Sequence, residues 1–148
     1  MFEESEQVVS KCLKGDKKMA IISREQIVEG LNKILGKENV ITDEQVLKES
    51  SMDRYRKFEQ CHEVYTQPIP AAVVYVHSTE DVKNTLTFAN DNGINVVPRT
   101  GHSAIEGGLE TALENSIVVD GSGMNKVLKI DKTNMQVTCQ CGVPLQDL

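Results

Sequence analysis

Positive charge is scarce in this chain: 16 Lys and Arg stand against 22 Asp and Glu, for a net charge of −6. The basic residues are dispersed, and only Lys17-Lys18 and Arg56-Lys57 are adjacent. Binding to nucleic acid rests on clustered Lys and Arg, so this balance argues against a nucleic-acid partner. Long apolar runs are missing too. None approaches the ~18 residues needed to span a bilayer, and no transmembrane segment is expected. Glu3, Glu4 and Glu6 stand where a signal peptide needs positive charge and then an apolar core, which places the protein in the cytosol.

Metal-ligand patterns are also lacking. There are three His, no Trp and no His-x-x-x-His pair. Cys12, Cys61, Cys139 and Cys141 do not make the two close pairs that structural zinc requires. Cys139 and Cys141, two apart in a strand-like run, point to one face. The thiols are read as buried small hydrophobes that stay reduced in the cytosol. The nucleoside-triphosphate loop, Gly-x-x-x-x-Gly-Lys-Ser/Thr, does not occur. Gly121-Ser122-Gly123 follows a strand as a Rossmann fingerprint would, but Lys126 holds the third Gly position. Val127 to Ile130 also reads as strand where a helix should begin, so the trio is read as a turn.

What remains is a chain of 148 residues, 39% hydrophobic, enough for one globular domain with a real core. Phe2, Val8, Val9, Cys12 and Leu13 suit a loose amphipathic helix over residues 1–14, broken at Gly15-Asp16-Lys17-Lys18. Ser23-Arg24-Glu25-Gln26 is a capping box. Ile27, Leu31, Ile34 and Leu35 share the face of the helix it starts, and Gly36 ends it. Thr42-Asp43-Glu44-Gln45 repeats the signature for a shorter helix through Val46 and Leu47. The polar stretch from Ser50 to Gln67 predicts an extended connection over the surface, in which Asp53 is a plain surface carboxylate.

Ala71 to Val76 is a continuous apolar run, as in a parallel strand covered on both faces. Ser78 or Thr79 caps the next helix, with Val82, Leu86 and Ala89 as its inner stripe and Gly93 at its close. Ile94 to Val97 forms the second strand of a right-handed βαβ unit. Leu109 to Glu114 is expected as a short helix and Ile117 to Asp120 as a third strand. Val127 to Ile130 and Gln136 to Cys139 flank the turn Asp131-Lys132-Thr133-Asn134, which predicts an antiparallel hairpin. Gly142-Val143-Pro144 then opens a helix, with Pro suited to its first turn.

The richest stretch is Pro98-Arg99-Thr100-Gly101-His102-Ser103-Ala104-Ile105-Glu106-Gly107-Gly108. It leaves a strand with glycines and small hydroxyl residues where backbone must come close to something. Gly permits φ > 0, which lets successive N–H groups converge on one point. Such a nest binds anions, and phosphate is a usual occupant.

Strand, Pro-Arg, small residues and Gly-Gly resembles the pyrophosphate loop of the FAD-linked oxidases of the vanillyl-alcohol oxidase and p-cresol methylhydroxylase superfamily. Three other segments resemble that family in order: Pro70 to Val82, Ile117 to Asp120 with Met124-Asn125, and Val137-Thr138 leading to Gly142-Val143. Together they cover about half the chain, and the glycolate oxidase and D-lactate dehydrogenase type looks nearest. The resemblance implies an α+β, α/β-like fold of the p-cresol methylhydroxylase type, with N-terminal helices and a small parallel βαβ sheet. An antiparallel second subdomain would begin near the end of the chain. It implies an N-terminal extension over 1–22, a helical lead-in over 23–67, a first FAD-binding subdomain over 68–123 and the start of a second over 124–148. Because a helix is opened and not completed, the chain is expected to be a fragment that is inactive alone.

The resemblance implies FAD as cofactor, held by Pro98, Arg99, Thr100, Gly101, His102, Ser103, Ala104, Gly107 and Gly108, with Gly142 near the adenine side. Arg99 adds charge or pairs with a neighbouring carboxylate. The whole enzyme would oxidise a small organic substrate, a 2-hydroxy acid such as glycolate or lactate, and pass electrons to an acceptor. Two registers remain open at the loop. In one, Thr100 and His102 stand at the family's two Gly positions; in the other, Gly101-His102-Ser103 resembles a branch whose His carries the flavin covalently. The first is adopted, with His102 lining the loop. The rival class is a non-catalytic small α/β module that binds a nucleotide or a partner. The substrate, acceptor and oligomeric state are not legible.

Overall fold

The computed structural model describes residues 22–148. The amphipathic pattern over 1–14, the break after it and Cys12 lie outside the described residues, as does nearly all of the expected 1–22 extension. The elements run α1 (Arg24–Leu35), β1 (Val40–Ile41), α2 (Glu44–Glu49), α3 (Lys57–Cys61), β2 (Ala72–Tyr75), α4 (Thr79–Asp91), β3 (Val96–Arg99), β4 (Ile117–Asp120), β5 (Val127–Asp131) and β6 (Gln136–Cys139).

Local chemistry starts the helices. At α1 the Ser23 side chain accepts from the Gln26 N–H, and the Gln26 side chain accepts from the Ser23 N–H at 2.9 Å. Ser78, rather than Thr79, does the same for α4 with Asp81. Removing such a cap costs about 1 kcal/mol. Gly36 ends α1 at φ +84, a backbone region that favours glycine. Ile27 and Leu31 are wholly buried, and Leu35 packs beside them. On α4 the inner face is Thr85 and Ala89, flanked by Val82 and Phe88, whereas Leu86 is 45% exposed. Apolar spacing alone passed over the buried threonine and so rotated the stripe.

The main sheet has the order β1-β2-β4-β3. β2 and β3 both run parallel to β4, which lies between them, and β1 pairs antiparallel with β2 at the edge. The expected parallel core is present, with its third strand inserted at the centre. All four residues of β4 are buried, as a central strand covered on both faces requires. On one face Val74, Ile117 and Val119 pack with Ile27, Leu31 and Ala89; on the other, Val73, Val97 and Val118 pack with Leu47. Each such side chain contributes about 1.5–3 kcal/mol when fully buried. β5 and β6 form a separate antiparallel hairpin closed by the Asn134 N–H on Asp131. Leu128, Ile130 and Met135 lie exposed on it.

Four expectations are corrected. The Ser50–Gln67 stretch is not an extended surface run: it carries a 3₁₀ turn (Arg54–Arg56) and α3, and Ser50, Ser51, Met52 and Asp53 are buried. Leu109 to Glu114 forms no helix, because Leu109 and Thr111 give their N–H groups to Asp53 and Ser51 instead. Gly142-Val143-Pro144 leads only into a 3₁₀ turn, Leu145–Asp147. Cys61 and Cys141 are free but exposed, and Cys139 is half-buried, since the segments that carry them lie off the core. Among the described residues no helix is long and apolar enough to cross a membrane.

Candidate cofactor-binding site

Three parallel strands deliver their C-terminal ends to one edge of the sheet, the edge where ligands of parallel α/β sheets bind. β3 ends at Arg99 and β4 at Asp120, which face each other in the ladder. The Asp120 side chain is wholly buried, and three donors converge on it. Arg99 Nε donates to Oδ2 at 2.8 Å, the Ser122 N–H donates to Oδ1 at 2.9 Å, and His102 Nε2 lies 2.9 Å from Oδ2. Burial opposes the charged carboxylate, but hydrogen bonds from Ser122, then Arg99 and His102, outweigh it. The Asp120 pKa therefore lies below its ordinary value. A second arm of Arg99, Nη1, donates to Ser50 Oγ at 2.8 Å. Of the two roles considered for Arg99, the structure shows the pairing with a carboxylate.

The loop that leaves Arg99 turns through two left-handed residues, His102 at φ +50 and Gly107 at φ +85. Such a φ is uncommon for a residue with a Cβ, and the bond to Asp120 helps hold His102 there. From Thr100 to Gly108 no backbone N–H donates to any described residue. Groups of this kind are almost always paired when buried, so a run of free ones is tolerated only where solvent or a ligand can reach them. Gly101, His102 and Ser103 are exposed, as are Pro98 and Gly108; Thr100, Ala104 and Gly107 are half-buried. These donors, with a cationic side chain at the root of the loop, fit a pyrophosphate.

The far end of the loop is gripped. The Leu109 N–H donates to Asp53 Oδ1 at 3.0 Å, and Asp53 is only 3% exposed, which overturns its reading as a surface carboxylate. A cleft of about 330 Å³ lies between this grip and the loop root, lined by Ser50, Asp53, Arg54, Arg99, His102 and Leu109 among others. On the other side of Arg99 a hollow of about 260 Å³ is lined by Val76, Pro98, Thr100, Val119, Met124 and Cys141 among others.

Gly142 stands apart from the loop residues. A Cβ there would meet the carbonyl oxygens of Gly121, Ser122 and Met124 at 2.5, 2.7 and 2.9 Å. Backbone packs on backbone at this point, and the sulfur of the adjacent Cys141 and the Thr100 methyl both lie against Gly121. Sequence reading gave no role to Asp120 or Ser50. The signal for Asp120 was available: a carboxylate closing a buried apolar strand must find partners. Nothing local marks Ser50.

Residues 70–148 match the FAD binding domain family, more than half of the chain, and the chain belongs to that family. Its cofactor is FAD. The chain is 59% identical over 127 residues to the FAD-linked oxidoreductase YgcU of Escherichia coli strain K12, an alignment that takes in 86% of this chain and 26% of that one. It is 33% identical over 127 residues to the mitochondrial D-lactate dehydrogenase (cytochrome) 1 of Saccharomyces cerevisiae, covering 84% of this chain and 21% of that one. The crystal structure of p-cresol methylhydroxylase with substrate bound superposes with a TM-score of 0.67 at 18% identity, over 83% of this chain and 23% of that one. That likeness bears out the expected fold class. The chain thus spans about a quarter or less of the length of these proteins.

Proposed function

We propose that this chain supplies the pyrophosphate-binding part of an oxidoreductase that oxidises a 2-hydroxy acid, such as glycolate or lactate, and passes the electrons to an acceptor. The observation that carries the binding half is the run of N–H groups from Thr100 to Gly108 with no acceptor among the described residues, laid out beside Arg99 at the C-terminal edge of the parallel strands. Thr100, Gly101, His102, Ser103 and Ala104 present N–H groups to the phosphates. The Ser103 hydroxyl adds a donor, and Gly107 and Gly108 let the chain pass close to the cofactor. Pro98 and Arg99 fix where the loop leaves β3, and Gly142 stands on the adenine side. Arg99 keeps its charge near the phosphates while Asp120 holds its direction.

Bound FAD would supply the hydride-accepting chemistry; the protein's part is to hold and orient it. The substrate class is supported by the name of the yeast relative, a D-lactate dehydrogenase. Anaerobic mixing of the complete protein with D-lactate, L-lactate and glycolate tests both halves. A yellow protein whose flavin band bleaches with one of these acids is the expected result. A flavoprotein that none of them bleaches rejects the substrate class; a complete protein that takes up no FAD rejects the site.

A further inference from the structure

Both mouths of the cofactor loop are held by one segment that the loop's own chemistry does not explain. At the root, Ser50 Oγ accepts from Arg99 Nη1. At the far end, Asp53 Oδ1 accepts from the Leu109 N–H, and the Ser51 carbonyl accepts from the Thr111 N–H at 3.1 Å. The Thr111 hydroxyl donates to the Pro68 carbonyl. Between these two residues Glu110 is clasped as well: the Tyr55 hydroxyl donates to it at 2.7 Å, Gln67 Nε2 at 3.0 Å and Arg56 Nη1 at 3.3 Å. Leu109, Glu110 and Thr111 are thus each fastened to the stretch from Ser51 to Pro68, while the N–H groups just before them find no acceptor among the described residues.

Asp53 is the most telling member. One oxygen holds Leu109; the other is sealed from solvent with no donor among the described residues. That oxygen is out of reach of solvent, and the role left to Asp53 is its bond to Leu109, so Asp53 is placed to act through Leu109 and not on the cofactor itself. An acceptor buried this completely on only one partner is costly to keep. The partner it does keep is the first residue after the free donors.

We infer that the Ser50–Pro68 segment is the mould of the pyrophosphate loop, and that Asp53 is a positioning residue that sets the loop's binding shape before FAD arrives. A nest pre-shaped in this way spends less of its binding free energy on ordering itself. The inference rests on the proposed function, and its test is read partly without cofactor so that the two can fail separately.

The experiment uses the complete protein and the variants Asp53→Ala, Asp53→Asn and Leu31→Ala. Asn keeps the acceptor for Leu109, Ala removes it, and Leu31 lies in the core away from the loop. Amide exchange of the apo forms should speed up at Leu109 and through Thr100–Gly108 in Asp53→Ala while β2 and β4 stay protected. The FAD dissociation constant should rise at least tenfold in Asp53→Ala, stay within threefold of wild type in Asp53→Asn, and not move in Leu31→Ala beyond threefold despite its lower melting temperature. If Asp53→Ala does not fold, Tyr55→Phe on the exposed rim should still raise loop exchange and weaken FAD measurably. Unchanged exchange at Leu109, or equal weakening by Leu31→Ala, overturns the mould. Failure of the wild type to bind FAD instead overturns the proposed function and leaves the exchange result standing.

Discussion

Replacing Asp120 should cost more stability than replacing any exposed carboxylate of the chain. The side chain is wholly buried and receives Arg99, His102 and the Ser122 N–H. Arg99 is nearly buried too, its side chain 8% exposed. Asp120→Ala therefore leaves a guanidinium without its counter-charge, which typically costs about 3–5 kcal/mol. Asp120→Asn preserves shape and one acceptor and should cost less, about 1.5–3 kcal/mol, the usual worth of hydrogen bonds to a charged group. Against a total stability of about 5–15 kcal/mol both are readable in urea denaturation. The pH profile adds a second reading. The folded carboxyl has a lowered pKa, so its contribution is fully present above the unfolded value of about 4 and is lost as pH falls through the folded value. The stability difference between wild type and Asp120→Asn should hold steady from pH 5 to 7 in order of magnitude and shrink only below about pH 4. A loss under about 1 kcal/mol for Asp120→Ala, or a difference that instead grows on acidification, refutes the claim that this carboxylate is the anchor of the loop root.

Two further outcomes are expected. Acid precipitation of the complete flavoprotein should release the flavin, because His102 has one ring nitrogen on Asp120 and is read as a loop support; colour that stays in the pellet of wild type and is lost in His102→Ala would show a covalent link instead. Gly142→Ala should cost at least about 1–3 kcal/mol, the scale of overpacking, since its Cβ meets three carbonyl oxygens; a melting temperature within a degree or so of wild type would deny that close packing.

The parts legible in the sequence are those with local causes. The capping boxes at Ser23 and Ser78 announce α1 and α4 because each involves residues three apart. The unbroken apolar runs of β2 and β4 announce buried strands, and the small residues after Arg99 announce that β3 gives way to a loop. What escaped depends on distant partners. β1 is two residues long, too short to show any period, and exists because β2 offers it an edge. The polar composition of Ser50–Gln67 is that of a surface run, yet the polar groups at its start are spent inside the molecule, on Arg99 and on Leu109 to Thr111. The strand order hid for the same reason: a strand's composition tells that it is buried, not which neighbour buries it.

That strand order has a consequence for how the molecule is made. β4 is the last of the four strands in the chain, yet it occupies the slot between β2 and β3. Until it arrives, the two earlier parallel strands have no ladder between them. The only covalent route from β3 to that slot is the stretch from Thr100 to Ser116, which contains the whole cofactor loop. Closing a chain segment of this length costs entropy before any ladder bond repays it, and non-local pairings of this kind are the slow ones in folding. The residues proposed to cradle a phosphate are thus also the tether whose crossing completes the sheet, so changes to this loop are expected to act on folding rate as well as on affinity.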